Sequence, residues 1–161
     1  MSSPRIALSI SFWVPGKPIA QPRPRATIRG AHAGVYNPPT ADAWKKEVQF
    51  RARGAMLLHD QSPTSAPLIA ELSFEMPGSS KSYTKNWAFS AEGERRLWDG
   101  GLYHAQKPDC DNLEKAVLDA LTGIVYDDDA QIWQTAVTRK WCSIDDESNE
   151  EPGCRVTIRT P

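Results

Sequence analysis

Six prolines and three glycines fall within "PGKPIAQPRPRATIRGAHAGVYNPPT", residues 15–40. Proline holds φ at about −65° and lacks the N–H that a helix interior or a central strand needs, so no long regular element can cross this stretch. It is expected to be an extended arm or loop between a first strand and a first helix. Before it, "RIALSISFWV" (5–14) alternates apolar with small or polar residues at period two and reads as a strand. After it, Thr40 is placed to cap a helix over 41–58, with Trp44, Val48, Ala52, Ala55 and Met56 on one stripe and Lys45, Gln49 and Arg53 opposite.

The same reading carries down the chain. "PLIAELSFEM" (67–76) alternates as a second strand. Residues 77–106 turn polar, with a short helix expected around 91–98. A helix over 112–121 shows Leu113, Ala116, Val117 and Ala120 to the core. "QIWQTAVTRKWCS" and "GCRVTIRT" read as two strands joined as a hairpin by the acidic loop "IDDESNEEPG". The expectation is one α+β domain over 1–161, with a mixed sheet of about four strands and two main helices. With 161 residues, 40% hydrophobic and 24% charged, the chain is of ordinary globular composition and long enough to bury a real core. No apolar run approaches the ~20 residues of a membrane span, and Pro15 cuts short the apolar run near the N-terminus, so a cytoplasmic protein is expected. Cys110, Cys142 and Cys154 match no Cys/His metal spacing and are expected as reduced thiols.

The formal charge of −1 hides an uneven distribution. Residues 1–58 hold nine Lys/Arg against two acids, and the remainder holds ten against eighteen. An uneven scatter of surface charge accounts for this on composition alone; the sharper reading is a polyanion grip beside a cation site.

The acids are themselves patterned. "KPDCDNLEKAVLDALTGIVYDDDAQI" (107–132) puts Asp109 and Asp111 before an amphipathic helix and Asp127, Asp128 and Asp129 after it. Each group has a structural explanation: Asp111 with Glu114 fits a capping box, Asp109 suits the positive end of the helix dipole, and the triple Asp suits a turn. Together they suggest more. If "GIVY" turns back along a helix ~15 Å long, the late acids meet the early ones. Converging carboxylates repel unless a hard divalent cation sits among them. Lys115, one helical turn past Asp111, is either half of a surface ion pair or an ammonium for a scissile phosphate. With the basic N-terminal third, the chemistry indicated is metal-assisted phosphodiester hydrolysis.

The run "KPDCDNLEKAVLDALTG" followed by "DDDAQI" closely resembles the signature of the RusA family of Holliday-junction resolvases, and "VPGKPIAQPRPR", "VYNPPTADAW", "LYHAQKPD" and "VTRKW" are similar to further segments of its Gram-positive and phage-type branch. The resemblance implies a mixed α/β homodimer that binds four-way DNA junctions and cuts two opposed strands with Mg²⁺, Mn²⁺ substituting. It places Asp109, Asp111 and Asp129 at the metal-binding catalytic positions and Lys115 at the functional lysine. Asp128 becomes a neighbouring metal acid, while Asp127 falls where many relatives carry a non-acidic residue. Lys17, Arg23, Arg25 and Arg29 on the arm become phosphate contacts. Trp13 and Trp44 are expected in the core. Two other classes remain open: a junction- or duplex-binding protein whose acids are structural, and a metal-dependent phosphodiesterase acting on flaps or other substrates.

Overall fold

The computed structural model describes residues 7–29, 32–77, 104, 106–142 and 151–161. The alternating residues near the N-terminus form β1 (Ser9–Pro15), whose Ile10, Phe12 and Val14 are buried while Ser9 and Ser11 face outward. A two-stranded hairpin follows, β2 (Arg25–Arg29) and β3 (His32–Tyr36). A single 3-10 turn (Pro39–Ala41) then leads into α1 (Asp42–Leu58), and β4 (Leu68–Met76) comes next. After it come α2 (Cys110–Leu121), a second 3-10 turn (Asp129–Gln131), β5 (Ile132–Trp141) and β6 (Gly153–Arg159).

The main sheet has the order β1-β6-β4-β5. β6 pairs antiparallel with both β1 and β4, whereas β5 pairs parallel with β4. The mixed four-stranded sheet and two helices of an α+β domain are therefore present. The expected β5–β6 hairpin is not: β4 lies between them, because a parallel β4–β5 pair must be joined by a crossover, and α2 lies on that connection. The acidic loop expected between them lies mostly outside the described residues, as does the short helix expected near 91–98.

One apolar cluster joins both helices to one face of the sheet. Trp44, Val48 and Ala52 of α1 and Leu113, Val117 and Leu121 of α2 meet Leu72 and Phe74 of β4 and Val156 and Ile158 of β6. Each fully buried side chain of this kind stabilises the fold by about 1.5–3 kcal/mol. The opposite face is polar and cross-linked between strands: Ser11 to Thr157 at 3.0 Å, Arg159 to Glu71 at 3.3 Å, and the Arg155 guanidinium 5.6 Å from the Trp13 ring centroid. Trp44 is core as expected, but Trp13 lies on this outer face, since odd-numbered positions of β1 point away from the helices.

The arm departs from expectation for a local reason. Its prolines cluster at 15–24 and 38–39, leaving "RATIRGAHAGVY" free of proline and long enough for a hairpin. Thr40 does not cap α1, which starts directly from the 3-10 turn with Ala41 at its N-cap. The three cysteines are free thiols.

Gly153 marks the tightest point of the sheet. A Cβ there would land on the Trp13 indole and 2.5 Å from the Val14 carbonyl oxygen, and backbone cannot yield cheaply. Gly153→Ala is expected to cost about 1–3 kcal/mol. Thermal melting will show it as a fall of roughly 2–4 °C per kcal/mol.

Candidate active site

The acids of interest are set by the two ends of α2. The helix begins at Cys110, so Asp109 rather than Asp111 is its N-cap residue, in extended conformation (φ −70°, ψ 149°). Its side chain makes no capping hydrogen bond, so the expected Asp111–Glu114 capping box is absent. The Asp109 carboxylate is left to other partners. Arg23 supplies one, Nη2 to Oδ2 at 4.0 Å. Asp111 follows in the first turn, exposed.

The arm is fastened here. Ile19 and Ala20 pack against the core, and the Gln21 N–H donates to the Asn112 carbonyl at 2.8 Å. That bond holds the arm beside the first turn of α2 and carries Arg23 to Asp109. Lys17 and Arg25 are exposed, and Arg29 ends β2 opposite His32.

The segment leading into Asp109 is clamped from β5. The Arg139 guanidinium donates to the carbonyls of Gln106, at 3.0 Å, and Pro108, and faces His104 Nδ1 at 3.5 Å. His104 is buried, its ring centroid 4.2 Å from that of Trp141, and its N–H donates to the Arg139 carbonyl. Burial first, then the nearby Arg139 charge, lowers the His104 pKa below 6.5. A neutral ring can take the Arg139 proton donor at Nδ1; a protonated one cannot. Between the folded pKa and the unfolded value near 6.5 the unfolded chain binds more protons, so stability falls as pH falls through that window. Melting curves from pH 7.5 to 5.5 should show wild type losing more stability than His104→Asn over the same range.

Beyond α2 the chain turns back tightly. The Gly123 N–H donates to the Tyr126 carbonyl at 2.7 Å, and buried Tyr126 sends its hydroxyl back to the Leu118 carbonyl at 2.8 Å. Burial, then the charges of Asp129 and Asp119, push the Tyr126 phenol far above its ordinary pKa, so it stays a neutral donor. A capping box does occur here, one the sequence reading placed elsewhere. Asp128 Oδ1 accepts from the Ala130 N–H, and Gln131 Oε1 accepts from the N–H groups of Asp127 and Asp128, each at 2.9 Å. Gln131 Nε2 meanwhile donates to the carbonyls of Thr64 and Ala66, tying the acidic turn to the loop before β4.

Lys115 does not pair with Asp111. Its Nζ lies 3.1 Å from Asp119 Oδ1, and Lys45 of α1 lies 3.4 Å from Asp119 Oδ2. The hydrogen bond and charge of Asp119, and to a smaller extent the charge of Asp129, raise the Lys115 pKa, so the ammonium persists above its ordinary range. The turn thus brings Asp129 into electrostatic reach of Lys115, and the arm brings Arg23 to Asp109. Among the described residues, no three acid, His or Cys side chains already converge on a metal-sized point. In chemistry the set fits a hard cation: Asp109, Asp111, Asp128 and Asp129 are all-oxygen donors and all exposed, and Asp128 has an oxygen engaged by the Ala130 N–H.

The model of the family described as Endodeoxyribonuclease RusA matches residues 15–159. The chain belongs to the RusA family. Membership makes it an endodeoxyribonuclease. It is also similar to "Uncharacterized protein YqaN" of Bacillus subtilis (strain 168), 29% identical over 150 residues that cover 93% of this chain and 95% of that one. RusA-type enzymes bind branched DNA and generally depend on divalent metal. Among the described residues no helix is long and apolar enough to cross a membrane. Asp119, Gln131 and Arg139 were not singled out from sequence. Asp119 and Gln131 stand inside the quoted signature, which was the available signal.

Proposed function

We propose that this RusA-family protein is a structure-selective endonuclease that resolves four-way DNA junctions by paired, symmetric phosphodiester hydrolysis in recombination and repair, in the cytoplasm. The observation that carries the reading is the fastening of the basic arm against the acidic start of α2, with Arg23 4.0 Å from Asp109. Cations that grip phosphates and acids that suit a hard metal share one surface. A phosphate backbone held by Lys17, Arg23, Arg25 and Arg29 would be set down beside the carboxylates.

In this reading Asp109, Asp111 and Asp129 hold Mg²⁺ or Mn²⁺, with Asp128 available to a second ion once it gives up its turn bond. When bound, the cation offsets the charge of the phosphate and lowers the pKa of the attacking water. The protein's own share is more local. Lys115, kept protonated by Asp119, contacts a non-bridging oxygen of the scissile phosphate and favours the transition state, where negative charge is greatest. Arg23 leaves Asp109 for a DNA phosphate, which frees the carboxylate as substrate arrives. A homodimer presents two such sites related by a two-fold axis, which suits a junction with two equivalent strands.

The test is cleavage of an end-labelled synthetic four-way junction in Mg²⁺, in Mn²⁺ and in EDTA, beside linear duplex and a flap. Symmetric paired nicks that need metal and spare duplex are expected. Tight junction binding without cuts in either metal would overturn the catalytic reading in favour of a binding protein. Preferential cutting of the flap would make it a phosphodiesterase of other branched DNA.

A further inference from the structure

Asp119 on α2 touches two cations from two different helices. Its Oδ1 meets Lys115 Nζ at 3.1 Å and its Oδ2 meets Lys45 Nζ at 3.4 Å. The side chains differ in exposure: Lys115 is 57% exposed, Asp119 27% and Lys45 22%. The carboxylate and the α1 lysine are therefore held in the crevice between helices, while the α2 lysine reaches out of it.

The charge count is what makes the arrangement informative. A simple Lys115–Asp119 pair on a helix face would be neutral, and its lysine would have little left to offer a phosphate. Lys45 changes that, since three groups with two positive charges and one negative retain a net +1. The exposed member is Lys115, so the surplus charge faces outward. Lys45 also occupies the second carboxylate oxygen, which leaves Asp119 unsuited to compete with Asp111 and Asp129 for a cation. The i,i+4 geometry fixes the lysine's direction as well. Drawn toward Asp119, its Nζ leans along α2 toward the C-terminal end and away from Asp111.

We propose that Asp119 and Lys45 are positioning residues that aim the Lys115 ammonium at the scissile phosphate while leaving its charge available. This deepens the function proposed above and rests on it. Neither residue touches DNA in this arrangement; both act through Lys115. Lys45 accordingly belongs to the site's internal scaffold rather than to its phosphate contacts.

The experiment uses the full-length protein with Asp119→Asn, Asp119→Glu and Lys45→Met, measured in two independent ways. The first is single-turnover junction cleavage in Mg²⁺ from pH 6 to 9.5, alongside junction affinity without metal. Asp119→Asn should cut roughly 10- to 100-fold more slowly, the penalty expected of a misplaced catalytic group. Its affinity should stay within about twofold. Asp119→Glu should recover part of the rate. Lys45→Met should slow cleavage without weakening binding, as Asp119 then neutralises Lys115.

The second readout needs no activity: the Nζ titration of Lys115 by NMR on ¹⁵N-lysine-labelled protein, assigned with Lys115→Arg. Its midpoint should fall in Asp119→Asn. If Asp119→Asn fails to fold, Asp119→Glu and Lys45→Met carry the same two readouts. Wild-type cleavage rates in Asp119→Asn, or a Lys115 titration that does not move, would overturn the proposal. If wild type cuts no junction while the titration still shifts, the junction reading fails and the Asp119–Lys115 arrangement stands.

Discussion

Replacing Asp109 by Asn is expected to lower junction cleavage by on the order of 10³-fold or more, equivalent to about 4 kcal/mol of lost transition-state stabilisation, while leaving the fold and junction binding in place. The separation of effects follows from where Asp109 sits. It is an N-cap residue whose side chain does no capping, so the amide loses nothing the helix uses. Its ion pair with Arg23 at 4.0 Å is exposed and contributes little to stability. Removing a negative charge beside the path of a phosphate backbone also relieves repulsion, so affinity should hold or rise. Asp111→Asn and Asp129→Asn should behave alike. Gel-shift and single-turnover cleavage on the same preparations make the comparison. Affinity that collapses in step with activity would mean the acids are structural.

The second large effect is expected at Gln131, through architecture rather than chemistry. One amide side chain receives two backbone N–H groups from the acidic turn and donates to two carbonyls of the loop before β4. Gln131→Ala strands all four partners, two of them in a partly buried setting, at a cost of about 2–3 kcal/mol. The turn then loses its side-chain tie to residues 64–66, and Asp129 is held less firmly relative to Lys115. Cleavage should fall by roughly 10- to 100-fold, as for other displaced catalytic groups. Gln131→Glu is the sharper variant. The acceptor of the two N–H groups is kept, whereas the donor to Thr64 and Ala66 is lost and a carboxylate faces carbonyl oxygens. Chemical denaturation and cleavage on both variants test the point, and a Gln131→Ala protein of wild-type stability would show that the turn holds without its amide.

What the sequence disclosed was what is encoded locally. The apolar stripes of α1 and α2, and the alternation of β1 and β4, fall where the pattern put them because periodicity reports directly on a buried face. The hairpin β2–β3 escaped because prolines were counted over the whole arm rather than located within it. Pairing was less legible still. Nothing in "GCRVTIRT" announces that β6 inserts between β1 and β4, since strand order is settled by which long-range contacts bury most, not by the strand's own residues. Side-chain partners followed the same divide. Lys115 stands four residues from both Asp111 and Asp119, and spacing alone cannot choose between them. The choice of Asp119 depends on Lys45, brought in from a helix seventy-odd positions away. Arg139 gave no sign of its clamp on residues 106–108, because its targets are backbone carbonyls, which every residue has.

The parallel union of β4 and β5 bears on when the protein can act. Asp109 and Asp111 lie at the start of the crossover helix, Asp129 follows it, the anchor for its turn lies before β4, and the basic arm comes from the far N-terminal side. On the proposed reading, these pieces share one surface only after the strand on either side of the crossover has docked, a step with a large loop-closure cost. A half-made chain, or one transiently opened at β5, carries the candidate site residues and holds them apart. For a protein whose reaction breaks the genome, competence that depends on that docking confines strand scission to intact molecules.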